Sequence, residues 1–159
     1  ISKFFGILSL IITIWVYYFF RDPERFPIID ENYLISPADG VISKIAEVSG
    51  PQELGLEKKK YTRISIFMNV FDCHVNRVPS SGKITQIFYK PGEYLNASLD
   101  KASEKNERNY VKMTNKNGEE LILVQIAGLI ARRIVTQTQK EHFAPRYISI
   151  KSLRKFEFA

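Results

Sequence analysis

Hydrophobic and polar positions divide the chain into two regimes. Residues 4–20, "FFGILSLIITIWVYYFF", contain no charge, and at ~1.5 Å per residue a helix over them nearly crosses a ~30 Å hydrocarbon layer. No face of that helix is polar, which argues against a surface or core helix. Trp15, Tyr17, Tyr18, Phe19 and Phe20, followed by Arg21, resemble the aromatic belt and cationic anchor of a membrane–water boundary. A secretory signal peptide is the competing reading. The long apolar stretch, its aromatic end and the lack of a small-residue cleavage site argue against it. The pattern therefore predicts a membrane-anchoring helix over 1–20 and, over 21–33, "RDPERFPIIDENY", a proline-rich connector lying along the membrane surface.

From Leu34 the period shortens. Apolar runs "GVISKIAEV", "TRISIFMNVF", "GKITQIFYK", "YVKMTN" and "EELILVQIAGLIARRIV" alternate with turn signals at Pro37–Gly40, Ser49–Pro51, Pro79–Gly82, Pro91-Gly92 and Asn117-Gly118. Closely spaced strands of this kind predict a mainly β (α+β) domain over 34–136, a compact barrel or sandwich. "YVKMTNKNGEELILVQI" reads as a hairpin, with Asn117-Gly118 supplying the positive φ angles of its turn. "LNASLDKASEKNERN" lacks strand alternation and reads as a loop with a helical turn. Residues 137–159 read as a divergent or truncated tail.

Composition narrows the partner. The 23 Lys+Arg against 17 Asp+Glu leave a net charge of +6, suited to an anionic surface of lipid or nucleic acid. The apolar segment selects the membrane, with no nucleic acid. Arg21 and Arg25 follow that segment whereas Lys3 alone precedes it, placing the bulk of the domain on the cytoplasmic side of the cell membrane. One cysteine forms no internal disulfide, and two histidines with it are too few for a zinc cage, so no metal is expected.

Three places could carry chemistry. Asp39 stands in the turn "SPADG" before a strand, where it either reacts or closes an Asx-type turn. His74, Asn76 and Arg77 in "FDCHVNRVP" interrupt apolar alternation; either they face a site or they are polar groups satisfied near the core. The adjacent Arg132 and Arg133 suit bidentate recognition of carboxylate or phosphate, unless one faces solvent while the other pairs with an acid.

Together "YFFRDPERFP", "ISPADGVI", "IFMNVFDCHVNRVPSSGKI", "GEYLNASLDKASEKNER" and "VQIAGLIARRIV" resemble the short bacterial phosphatidylserine decarboxylase proenzymes, over roughly Tyr18 to Val135. The resemblance implies a membrane-associated, mostly β enzyme that converts phosphatidylserine to phosphatidylethanolamine. Its electrophile would be a covalent pyruvoyl group, made by self-cleavage at a serine in a Gly-Ser pair and carried on a small subunit. It further implies that Asp39 acts in self-cleavage and that His74 stabilises or relays protons in decarboxylation. Arg132 and Arg133 would meet the lipid phosphate or substrate carboxylate, with Asn76, Arg77 and Asn96 lining the substrate site. Longer members have a second histidine where this chain has Arg77, so a two-histidine division of labour does not carry over. No Gly-Ser pair occurs in the 159 residues, so the pyruvoyl precursor is not identifiable. The expectation is a truncated or frame-shifted chain, inactive alone. The alternative is a non-catalytic, membrane-anchored module that binds lipid headgroups. A biotinyl- or lipoyl-type carrier domain fits less well, because the residues flanking Lys116 at the hairpin tip do not resemble a modification motif.

Overall fold

A computed structural model describes residues 2–26, 30, 32–96, 102–136, 138–141, 143–144 and 149–151. The apolar N-terminal segment forms helix α1, Ser2–Phe19. Its 18 residues span about 27 Å, and among the described residues no helix is long and apolar enough to cross a membrane. The rest is mostly β: β1 (Val41–Ser49), β2 (Lys60–Phe67), β3 (Val75–Arg77), β4 (Gly82–Lys90), a single helical turn α2 (Ala102–Lys105), β5 (Arg108–Asn115), β6 (Glu120–Ile126), β7 (Phe143–Ala144) and β8 (Ser149–Lys151).

All strand pairs are antiparallel: β1 with β2, β3 with β8, and a four-stranded sheet in the order β6-β5-β4-β7 that curls into a half-barrel. Alternation explains why the central strand β5 is buried on both faces. Its odd positions Val111 and Met113 pack with Val78, Ile84, Leu123 and Ala144. Tyr110 turns the other way onto Leu54 and Leu56, which follow from a 3-10 turn at Gln52–Leu54.

The β5–β6 hairpin forms as expected, with a different turn. Only Gly118 of the Asn117-Gly118 pair takes positive φ, at 81°. The Gly118 N–H donates to Asn115 O (3.1 Å) and the Asn115 N–H to Glu119 O (3.0 Å), a type I turn closed by a glycine bulge. The apolar run after β6 is not strand: β5 begins at Arg108, paired with Ile126, so residues from Ala127 onward have no β5 partner. The loop before β5 contains the expected helical turn, α2.

Glu120 fastens the β1–β2 ribbon to the sheet. It accepts from Lys112 (2.7 Å), Lys59 (3.3 Å) and the Tyr61 hydroxyl. Lys112, then Tyr61, hold its carboxyl down at about 2, while burial and this acid push the Tyr61 phenol up to about 12.

Candidate functional site

Asp39 stands in the Pro37–Gly40 turn, two residues before β1. Gly40 has φ 137°, and a Cβ there would strike the Phe67 carbonyl, so "Asp-Gly" is a backbone requirement of this turn. The segment before it lies along β3: the Arg77 N–H donates to Pro37 O (2.8 Å) and the Ile35 N–H to Pro79 O (2.9 Å). Between them opens a cleft of about 310 Å³ lined by Arg25, Ser36, Asp39, Val75, Arg77 and Val78, among others. The Arg25 guanidinium pairs with the Asp39 carboxylate. The cleft wall is thus acid, base and hydroxyl over an apolar floor.

Strand β3 separates that cleft from the sheet interior. Val75 and Arg77 face the cleft, while Asn76 turns to the sheet. Its side-chain oxygen accepts from Gln125 Nε2 (3.0 Å), and Gln125 Oε1 accepts from Asn109 Nδ2 (3.1 Å), which also donates to Thr136 Oγ1 (2.7 Å). Asn76, Gln125 and Asn109 are all buried, so each amide replaces lost water with a partner. This amide chain forms the polar end of a face whose other end is Val111, Met113 and Leu123.

His74 immediately precedes β3 and is 6% exposed. Nδ1 lies 3.1 Å from Asp72 O. A carbonyl only accepts, so Nδ1 carries the hydrogen and Nε2 the lone pair. Burial lowers the imidazole pKa below its ordinary value, only partly opposed by the Asp72 carbonyl and charge, and Arg21 pushes in the same direction as burial. The resting ring is therefore neutral at pH 7, a proton acceptor at Nε2. Its face is stacked on Phe19, the last residue of α1, with centroids 4.4 Å apart and planes 30° apart.

The expected site residues thus divide among neighbouring places. Asp39 and Arg77 share the cleft, His74 and Asn76 lie at and behind its β3 wall, and His74 is not among the cleft-lining residues. Arg77 spends its guanidinium on Asp22 (2.7 Å) and Pro23 O (2.7 Å), which ties the connector to β3. Arg132 and Arg133 are exposed, on a segment that folds back across the end of β5 and β6. Arg132 Nε donates to Leu129 O (2.9 Å), and both guanidinium groups act electrostatically on Tyr94. Tyr94 donates to the buried Glu107 carboxylate (2.6 Å), and that hydrogen bond is the main cause holding the Tyr94 phenol above its ordinary value. Asn96 is exposed, two residues after this tyrosine. Asn106 braces this stretch through Leu95 N–H and O, each at 2.9 Å.

Gln125, Asn109 and Thr136 are not among the residues that the sequence pattern marks as candidates. One signal was available: in "ELILVQI" an amide occupies the same strand face as Leu121 and Leu123, where alternation demands an apolar residue.

Comparison with known proteins agrees with the motifs. A family profile described as "Phosphatidylserine decarboxylase" matches residues 12–150. The chain is 68% identical over 141 residues to the phosphatidylserine decarboxylase proenzyme of Pelagibacter ubique, covering 89% of this chain and 66% of that protein. It is 52% identical over 137 residues to the proenzyme of Rickettsia typhi, covering 86% and 59%. To that of Beijerinckia indica it is 54% identical over 135 residues, covering 85% and 58%. The chain thus spans 58–66% of the length of these curated relatives. With a profile match running through α1, the Asp39 turn, β3 and β6, the chain belongs to the phosphatidylserine decarboxylase family.

Proposed function

We propose that this chain is the larger part of a membrane-bound phosphatidylserine decarboxylase, acting on the serine headgroup at the bilayer surface. The observation that carries the reading is the Asp39 turn: in a chain of this family, the acid of the "SPADG" motif opens into a cleft whose wall is the strand that follows His74.

The family's pyruvoyl group fits that place. The cleft of about 310 Å³ has room for a three-carbon acyl group and presents a carboxylate and a hydroxyl, Asp39 and Ser36, beside it. That group supplies an electron-withdrawing carbonyl that takes up charge as carbon dioxide leaves. The remaining work falls to side chains of this chain. Asp39 orients or deprotonates the hydroxyl that attacks during self-cleavage, with Arg25 keeping the acid in place. His74, neutral with its lone pair at Nε2, accepts a proton from the substrate ammonium or from water and returns it after decarboxylation. Burial of the ring excludes bulk water from that transfer. Arg132 and Arg133, exposed beside Tyr94, meet the lipid phosphate or carboxylate, and Asn96 borders the headgroup. Asn76 and Arg77 act as braces, one to Gln125 and one to the connector.

Helix α1 is the anchor. Phe4, Phe5, Ile7, Leu10, Ile11 and Ile14 are each more than half exposed, an apolar surface that a bilayer would cover. The basic chain then lies against anionic lipid on the cytoplasmic face.

The test joins this chain to the C-terminal remainder of the Pelagibacter relative and measures release of labelled carbon dioxide from vesicles of carboxyl-labelled phosphatidylserine. Release that depends on a pyruvoyl-blocked small subunit supports the reading. Vesicle binding that weakens with salt, without any release, would leave only a headgroup-binding module.

A further inference from the structure

Phe19 is the only buried side chain among the described residues of α1. It is 6% exposed, while Tyr17 and Tyr18 just before it are 84% and 45% exposed. His74, itself 6% exposed, stacks on it at 4.4 Å, and the Trp15 and Phe20 rings lie beside it at 5.4 and 5.1 Å. The contact is reinforced on both sides of the imidazole. Arg21 Nη2 donates to Phe71 O (2.9 Å) and the Cys73 thiol to Arg21 O (3.4 Å). Three residues past His74, Arg77 grips Asp22 and Pro23 O, both at 2.7 Å. The Arg21 guanidinium also lies 3.8 Å above the Tyr18 ring, which links this grip back to the helix. Residues 19–23 therefore hold the 71–77 segment at several points, with no slack between helix and histidine.

We propose that Phe19 is a positioning residue for His74: the last residue of the apolar helix, packed ring on ring against the imidazole, makes anchor and reacting group one rigid body. The seating of α1 in a bilayer then sets the depth of the imidazole, at the level where the helix ends and lipid headgroups begin. This rests on the assignment of His74 to headgroup chemistry, but the contact and the depth can be measured without it. An apolar packing contact alone would need neither a ring at position 19 nor its alignment with the imidazole. A positioning contact needs both. The charged groups acting on His74 are Asp72, on its own segment, and Arg21, two residues past the end of the helix, so residues 19–21 supply a charge as well as the ring.

The test is proton and nitrogen NMR of the 159-residue chain in nanodiscs of phosphatidylglycerol and phosphatidylcholine, with His142→Gln throughout so that His74 gives the sole imidazole signals. The expected result is that the His74 ring protons lie upfield, as a stacked phenyl requires, and that the ring titrates below ordinary histidine. Phe19→Leu keeps apolar bulk and should abolish the upfield displacement and raise the titration midpoint. Phe19→Tyr should preserve both. Unchanged hairpin amide signals from Lys116 to Glu119 certify the fold of each variant. A spin label on the lipid headgroup should broaden His74 more than one deep in the acyl chain. Ordinary ring-proton shifts in the unmodified chain, or a folded Phe19→Leu variant with unchanged His74 shifts and midpoint, would overturn the positioning role. Stronger broadening by the deep label, or none by either, would overturn the depth assignment. Because no readout is decarboxylation, failure of the enzymatic reading would appear separately, as an intact stack in a chain that releases no carbon dioxide when completed.

Discussion

Replacing Gln125 by leucine tests whether the amide chain behind β3 is a brace. The side chain has nearly the same length, so the change removes polarity more than volume. It deletes the 3.0 Å bond to Asn76 Oδ1 and the 3.1 Å bond from Asn109 Nδ2. Asn109 keeps Thr136 at 2.7 Å, whereas the buried Asn76 oxygen loses its donor. Two hydrogen bonds at a net ~1 kcal/mol each, plus ~1–3 kcal/mol for a stranded buried acceptor, oppose ~1–2 kcal/mol recovered by burying leucine. The expected loss is about 2 kcal/mol. At a urea slope of ~1–2 kcal/mol/M, it lowers the unfolding midpoint by roughly 1–2 M. Asn76→Leu removes the stranded oxygen, so the double variant should be less destabilised than the sum of the single ones by about 1 kcal/mol or more. Urea unfolding followed by circular dichroism reads all three. Single losses below about 0.5 kcal/mol, or strict additivity, would refute the brace and return Asn76 to the pool of side chains available for a ligand.

Further expectations concern charge. His74 has a folded pKa below its ordinary 6.5, so the unfolded chain binds the proton more readily; stability should fall as pH drops below about 6.5 toward the lower folded value, and His74→Gln should flatten that limb in pH-dependent melting. Glu120, held at about 2 against an ordinary 4.5, should contribute stability above about 4.5 that disappears as pH falls toward 2. After allowance for its partial exposure, Glu120→Gln should cost about 1–2 kcal/mol at pH 7 and nothing at pH 2, by chemical denaturation. The Arg25–Asp39 pair is 47% and 38% exposed. Arg25→Gln should therefore change stability by less than about 1 kcal/mol, and a larger loss in the same assay would show that the pair is structural.

Local rules made much of the domain legible. Strand β4 coincides with the apolar run "GKITQIFYK", because turn residues bound it at Pro79–Ser81 and at Pro91-Gly92. Hairpin β5–β6 was announced by Asn117-Gly118, although one left-handed residue sufficed. What local pattern could not show was where pairing stops. "AGLIARRIV" is as apolar as a strand, yet has no β5 residues to pair with. Nor could it show that β3 would be three residues long and pair with β8, Ser149–Lys151, or that β4 would pair with Phe143–Ala144. In the site, Asp39 was readable because a carboxylate before glycine in a turn is conspicuous. The Phe19–His74 stack and the Arg77–Asp22 pair were not, since they join positions more than fifty residues apart and depend on the connector doubling back over β3. Arginine in "HVNRVP" suits a ligand-binding group by its chemistry; its bonds to Asp22 and Pro23 O, which also tie the connector to β3, are not legible locally.

With Asp39 serving self-cleavage and His74 the decarboxylation that follows, the two steps should come apart on mutation. In the chain joined to the C-terminal remainder of its Pelagibacter relative, Asp39→Asn and His74→Ala would each be scored by gel for cleavage and by labelled carbon dioxide for turnover. Asp39→Asn should stay a single uncut polypeptide. His74→Ala should be cut normally and release at least ~100-fold less carbon dioxide, the lower range for loss of a general acid–base group. An Asp39→Asn chain that matures normally, or a His74→Ala enzyme with unimpaired turnover, would contradict these roles.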